Sequence, residues 1–447
     1  MADFNIVDFG AVADGKTNCR EAIQKAIDLC TVQGGRVIVP EGRFLSGTLQ
    51  LKSNVHLFLE TGAVLISSIC EEDIIDVTKD FKDDNKEVGW EGGCFLCAFH
   101  EENISITGHG IIYGQGDKIF FDDNADGGFH ECPKNGQAFR PRTTFFEDVK
   151  QLTVENVTFR DAAFWTLHMA GCENVLIHQV RIFNDERGAN NDGIDPDSCK
   201  NVVISNCIIK AGDDAIVVKN TAPMAAKYGS CENIVISNCI LYSHDSALKI
   251  GTETAKAIRH VVLSDCVIRD CSRGIGIWVR DGGVIEDIHI HHVTGNTKRY
   301  ADCPQRIDFA PRWWGKGEPI FVSATYRNAE HKWPGKIRNI SFDHIYLKSE
   351  SCIFIAGEED ARIENVWIDD VMLTMEKQGT QPSDLFDEQP SERHVYYHDI
   401  PVVYARCVDG MAVNGRVSLN APYTIQNTKL MEIENCKEVE VNLKGYK

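Results

Sequence analysis

A short pattern recurs along most of this chain, and it limits the fold more than any other feature. Asp148–Phe159 (DVKQLTVENVTF), Cys172–Ile182 (CENVLIHQVRI), Cys199–Ile209 (CKNVVISNCII) and Cys231–Leu241 (CENIVISNCIL) are copies of one unit. Further copies start at Glu102, Ile258, Ile285, Lys336 and Ala361. The residue two places after the leading Cys, or its equivalent, falls at 151, 174, 201, 233, 260 and 287, in steps of 23, 27, 32, 27 and 27. Each copy holds two short runs of alternating, β-branched-rich residues separated by Asn, Asp or Gly, which reads as strand, turn, strand. No copy carries an amphipathic helix of about ten residues, which excludes leucine-rich and ankyrin-type units. A unit this small cannot bury its own apolar face. Stacked as coils, with strands about 4.8 Å apart, the units bury one another.

The expected fold is therefore all-β: a single right-handed parallel β-helix. A propeller blade would need about 40–45 residues. The open end of a solenoid needs covering, and Cys19–Leu29 supplies a helix with Ala22, Ile23, Ala26, Ile27 and Cys30 on one face. Residues 1–60 read as an N-terminal helical cap leading into the first coils, and residues 61–447 as the β-helix. Two segments depart from the pattern. The gap from Asp287 to Asn339 is 52 residues, and most of it, 297–333, reads as a long loop or a divergent coil. A second polar insertion covers 377–398.

Charge narrows the partners. Lys and Arg total 46 against 66 Asp and Glu, a net of −20. That field disfavours nucleic acid and anionic membranes, and no run approaches the ~18 apolar residues of a membrane span. The N-terminus shows no basic region followed by an apolar one, so the expected location is cytoplasmic. An odd count of 17 Cys fits reduced thiols. Cys199 and Cys207, like Cys231 and Cys239, are eight apart at equivalent places and read as small core residues rather than zinc ligands.

Clustered carboxylates interrupt the apolar pattern twice, at Asn190–Asp197 (NNDGIDPD) and at Gly212–Ile216 (GDDAI). Asp192 and Asp213 are 21 residues apart, close to one coil, which places them on neighbouring rungs of one face. Asp and Asn also occupy turns for purely local reasons, and Asp-rich β-helix turns can hold Ca²⁺. Adjacent carboxylates one coil from a third favour acid–base chemistry instead. Glycoside hydrolysis needs a carboxylic acid to protonate the leaving oxygen and a carboxylate to activate water or attack. Crowding keeps one of them protonated.

The run Asn190–Cys207 followed by Gly212–Lys219 (GDDAIVVK) resembles glycoside hydrolase family 28, the polygalacturonase-like β-helix enzymes of pectin degradation. The similarity includes Asp8–Ala11, Asp14-Gly15 and Gly34–Pro40, and covers Asn174 through Gly283. The resemblance implies an inverting hydrolase without a cofactor or metal. It implies Asp213 as general acid and Asp192 with Asp214 as the pair that activates water. Two family motifs are altered. The family's Gly-His-Gly falls on Ser243–Gly251, with its His at Asp245 and His244 one place off. Its Arg-Ile-Lys, which grips the uronate carboxylate, falls on Gly276-Ile277-Trp278.

Replacement cations are Lys249, which is 27 residues before Gly276, and Arg280, two beyond Trp278 and so on the same face of a strand. Lys219 matches a Lys that often follows the family's Asp-Asp. The segment Arg306–Glu318 offers Arg312 and Trp314 as further substrate contacts, and Arg140, Arg142, Trp165 and His168 precede Asp192 by one or two rungs. The substrate-binding candidates are thus Lys219, His244, Asp245, Lys249, Trp278, Arg280, Arg312 and Trp314. The expected activity is hydrolysis of galacturonate-containing oligosaccharides derived from pectin, acting from the chain end. The competing readings are a β-helix lyase or uronate epimerase, a hydrolase of a different glycoside, and a non-catalytic carbohydrate-binding β-helix.

Overall fold

The computed structural model describes residues 2–76, 93–122, 134–137, 139–300, 317–326, 333–379, 385–387, 395–397 and 400–445. Its strands pair almost entirely in parallel, each with the equivalent strand one coil on, which makes a parallel β-helix as the repeat predicts. A coil has three faces. In one central coil the first face is Lys200–Ser205, the second Ile208–Ala211 and the third Ile216–Asn220. Register follows the repeat directly: Val175 pairs with Val202, Val202 with Ile234, and Ile234 with Val261. Inward residues of successive coils, such as Val202, Ile204, Cys207 and Ile209, form one continuous buried core.

The recurring Asn, Asp, Gln and His positions are the corners. Gln151, Asn174, Asn201, Asn233, His260 and Asp287 all have φ between 55° and 63°. Left-handed backbone costs most residues about 1–2 kcal/mol, and Asn and Asp tolerate it best. The corner side chains also bond up the stack: Asn201 Nδ2 donates to Asn174 Oδ1 at 3.1 Å and Asn233 Nδ2 to Asn201 Oδ1 at 3.0 Å.

The helix predicted at Cys19–Leu29 spans Arg20–Gln33 and buries Ile23, Ala26, Ile27 and Cys30. Strand Ala2–Asn5, before it, already pairs with Gly35–Val39. The 32-residue step contains a helix the sequence did not announce, Ala222–Tyr228, whose Lys227 Nζ and Tyr228 Oη bond Glu147 Oε1 at 2.8 and 2.7 Å. The 52-residue gap is one coil rather than two, since Ile288 pairs with Ile340 and Asn339 Nδ2 donates to Asp287 Oδ1 at 3.0 Å; residues 301–316 and 327–332 within it lie outside the described residues. Within 377–398, Leu385–Asp387 and Val395–Tyr397 form an antiparallel ribbon outside the coils.

Cys94 and Cys97 form a Cys-x-x-Cys pair that the eight-residue spacing argument overlooked. Both are buried in the strand Cys94–Phe99, and the metal-compatible cluster found among the described residues does not include them.

Candidate active site

The carboxylates gather where the second face turns into the third. Asp213 and Asp214 lie between Ile208–Ala211 and Ile216–Asn220, and Asp192 precedes Ile194–Asp197 one coil earlier. The turns are fixed by close backbone approach. A Cβ on Gly212 would lie 2.5 Å from the carbonyl oxygens of Asp185 and Gly188, and one on Gly193 would lie 2.3 Å from that of Ala215. Asn191 ties the two turns together, accepting the Gly212 and Asp213 N–H groups on Oδ1 at 2.7 and 3.2 Å and donating to Asp185 O at 2.8 Å.

One oxygen from each of Asp192, Asp213 and Asp214 falls within 4.8 Å of the others. Asp192 and Asp214 are buried, whereas Asp213 is half-buried and the most open of the three. Asp213 Oδ2 accepts the Asn190 N–H at 2.9 Å. Burial, then the charges of Asp192 and Asp245, push its carboxyl up to about 7. Burial also raises Asp214 to about 7, against the pull of Lys249. Asp192 is pushed well above the ordinary carboxylate range by burial and by Asp195. A site holding one carboxylic acid beside carboxylates at neutral pH follows from this crowding.

Lys219 and Lys249 both reach this cluster. Lys219 Nζ lies 3.5 Å from Asp192, 3.7 Å from Asp195 and 3.5 Å from Glu253, and 4.5 Å above the Trp165 ring. Lys249 Nζ is 2.9 Å from Asp214 Oδ2 and 3.4 Å from Asp245 Oδ2. Asp245 stands over Asp213, as the 32-residue step predicts from the pairing of Ala211 with Ser243. His244 turns away from the acids. Its ring stacks on Tyr300 at 3.8 Å, its Nε2 meets Tyr242 Oη at 2.9 Å, and it lines a cleft of about 400 Å³ with Glu186, Asp270, Lys298 and Gln378. Burial lowers its pKa to about 3, so it is neutral at working pH.

Two expectations need correcting. Arg280 is not open to a substrate. Its fully buried guanidinium donates to Thr325 O at 2.8 Å, to Thr325 Oγ1 and to Tyr326 O at 3.4 Å. Trp278 is no open platform either. It is 1% exposed, with Lys249 Nζ 5.0 Å and Arg273 Cζ 5.1 Å from its ring. Of the earlier-rung candidates, Arg140 bonds Ala189 O and Asn190 Oδ1, Arg142 packs on Phe164 and Trp165, and His168 is enclosed between Phe145 and Trp165. Arg312 and Trp314 lie outside the described residues.

Sequence reasoning missed Arg273 and Asp195. Arg273 Nη1 bonds Asp245 Oδ1 at 2.8 Å, and it pairs in register with Ser246, 27 residues earlier, so the repeat step would have found it. Asp195 is fully buried and pushed up to about 7 by burial. It pairs with His168, again 27 residues earlier.

Several known proteins are similar to this chain. A protein named "Probable polygalacturonase" from Vitis vinifera is 29% identical over 66% of this chain and 61% of its own length. An "Exo-poly-alpha-D-galacturonosidase" from Dickeya chrysanthemi is 29% identical over 47% of this chain and 41% of its own. The crystal structure of a hyperthermoactive exopolygalacturonase from Thermotoga maritima superposes with a TM-score of 0.62 at 24% identity, over 84% of this chain and 88% of that one, a likeness of fold. The family model described as glycosyl hydrolases family 28 matches residues 35–296, a span that contains every coil from the cap helix to the end of the acid cluster. The chain belongs to glycosyl hydrolases family 28.

Proposed function

We propose that this protein hydrolyses glycosidic bonds in galacturonate-containing oligosaccharides derived from pectin, inverting the anomeric configuration and acting from the chain end. The observation that carries the reading is the triad of carboxylate oxygens within 4.8 Å, contributed by two consecutive coils. Asp213, the most open and held near neutrality, gives its proton to the glycosidic oxygen as the bond to the anomeric carbon breaks. Asp192 and Asp214 take the proton of a water attacking that carbon from the opposite side. The Dickeya relative, by its name, supports the exo preference. Inverting pairs are usually about 6.5–9.5 Å apart and retaining pairs about 5–5.5 Å. Those are separations of whole carboxyl groups, whereas 4.8 Å bounds one oxygen of each acid, so inversion is carried by the family and tested by the first-formed anomer. Among the described residues fifteen cysteines are free and nearly all buried, which supports a reducing compartment.

A second reading, hydrolysis of a glycoside without a carboxylate at the cleaved sugar, has one observation in its favour. Lys219, Lys249 and Arg273 already contact carboxylates. The deciding experiment incubates the purified protein with defined pectic oligosaccharides, charged, methyl-esterified and neutral, and follows products by chromatography and the first-formed anomer by proton NMR. Asp213→Asn serves as control and is expected to cut turnover by on the order of 10²–10⁴. A variant keeping more than half of the activity refutes the assignment. An unsaturated product moves the reading to a lyase.

A further inference from the structure

A line of alternating charges crosses the third face over four coils. Asp214 Oδ2 meets Lys249 Nζ at 2.9 Å, and Lys249 meets Asp245 Oδ2 at 3.4 Å. Asp245 Oδ1 meets Arg273 Nη1 at 2.8 Å, and Arg273 Nε lies 3.8 Å from Glu318 Oε2. The coils are in register at this level, Ile216 on Leu248, Leu248 on Ile275 and Ile275 on Ile320. Trp278 fills the space between the Lys249 ammonium and the Arg273 guanidinium. The side chains are almost out of water, from 0% exposed at Glu318 to 14% at Lys249. A charge buried this way is costly unless opposite charges and good geometry compensate it. Lys249 cannot swing toward a substrate without leaving two carboxylates behind.

Resting on the reading of the acid cluster given above, we propose that Lys249 is a positioning residue. It holds Asp214 as the ionised, water-activating carboxylate rather than gripping the substrate, and Asp245 and Arg273 hold Lys249 in place. The electrostatics agree in sign. Lys249 is the largest influence favouring ionised Asp214, with Lys219 adding to it, while burial, Asp245 and Asp213 oppose. The other charges around the cluster include Asp192 and Asp195 from the preceding coil, Glu253 beside Lys219, and Arg140 from an earlier coil.

The test is the pH dependence of kcat and kcat/KM on a charged oligosaccharide and its methyl ester, for wild type, Lys249→Ala, Lys249→Arg and Arg273→Gln. Removing a cation next to a carboxylate that must be ionised moves the acid limb to higher pH, by about 1–3 pH units for a partner this close. The expected result is that shift in Lys249→Ala on both substrates, its reversal in Lys249→Arg, and a smaller shift in the same direction in Arg273→Gln. If Lys249→Ala does not fold, Arg273→Gln, one coil farther from the acids, carries the test alone. An acid limb that stays in place, with KM raised only on the charged substrate, overturns the proposal. If Asp213→Asn remains active, the reading of the acid cluster itself has failed. If Asp213→Asn is inactive and the limb does not move, only the role of Lys249 has.

Discussion

Asp195→Asn should make the protein more stable, and increasingly so as pH rises. Asp195 is fully buried, its carboxyl lies against that of Asp192, and Lys219 Nζ is 3.7 Å away. Its carboxyl is pushed up to about 7 by burial, while an unfolded chain titrates it near 3.9. Between those values the folded protein holds a proton the unfolded chain has released. The contribution is therefore complete below about pH 4 and is lost as pH rises through about 7. At about 1.4 kcal/mol per pH unit, the raised carboxyl costs on the order of 4 kcal/mol at pH 8, where it must ionise, and roughly 1.5 kcal/mol at pH 5, where it keeps a proton the unfolded chain releases. Asn has the same shape and no charge, and Lys219 keeps Asp192 and Glu253, each at 3.5 Å. With an unfolding entropy of about 2.1 cal/mol/K per residue, 447 residues convert 1 kcal/mol into about 1 °C. Scanning calorimetry should show Tm raised by about 4 °C at pH 8 and by less than 2 °C at pH 5. The buried neutral His168 and His244 act in the opposite sense, losing stability on acidification, because their pKa values are lowered to about 4 and 3. They are common to both proteins and cancel in the difference. A Tm that falls at pH 8, or rises equally at both pH values, refutes the argument.

Extensive chelation should leave turnover unchanged, because the proposed chemistry uses three carboxylates and a water. Activity lost to chelator and restored by calcium, measured with the same oligosaccharides, would assign Asp192, Asp213 and Asp214 to a cation instead.

The coil was legible because a parallel β-helix writes its register into the sequence. Pairings such as Lys249 with Gly276 or Ala211 with Ser243 follow from counting. Corners were legible because left-handed backbone selects Asn, Asp and His. The acids were visible as carboxylates where the pattern wants apolar residues. What counting cannot supply is where a long side chain goes once its Cα is placed. Lys249 was in the expected register and yet faces Asp214 and Asp245. Helix Ala222–Tyr228 hid inside one long step because, at seven residues, its sequence is too short to show a period.

Arg280 makes that lesson quantitative. Two-residue alternation puts Arg280 on the side of Trp278, and its guanidinium does reach Ser323, the residue paired with Trp278. What alternation cannot give is availability: Val279 N continues the ladder to Ser323 O at 3.1 Å, and the guanidinium is taken up by the next coil. There it serves Thr325 O at 2.8 Å, Tyr326 O at 3.4 Å and Ser323 Oγ at 3.4 Å. Arg280→Ala removes these bonds and a large buried side chain together. Leaving buried acceptors unsatisfied costs about 1–3 kcal/mol and the cavity adds about 2 kcal/mol or more. The expected result is Tm lowered by about 3–5 °C, with KM changed equally on charged and methyl-esterified substrate. A carboxylate grip would do the reverse: Tm would hold, and KM would rise on the charged substrate alone. That outcome would show that the guanidinium leaves Thr325 when substrate binds.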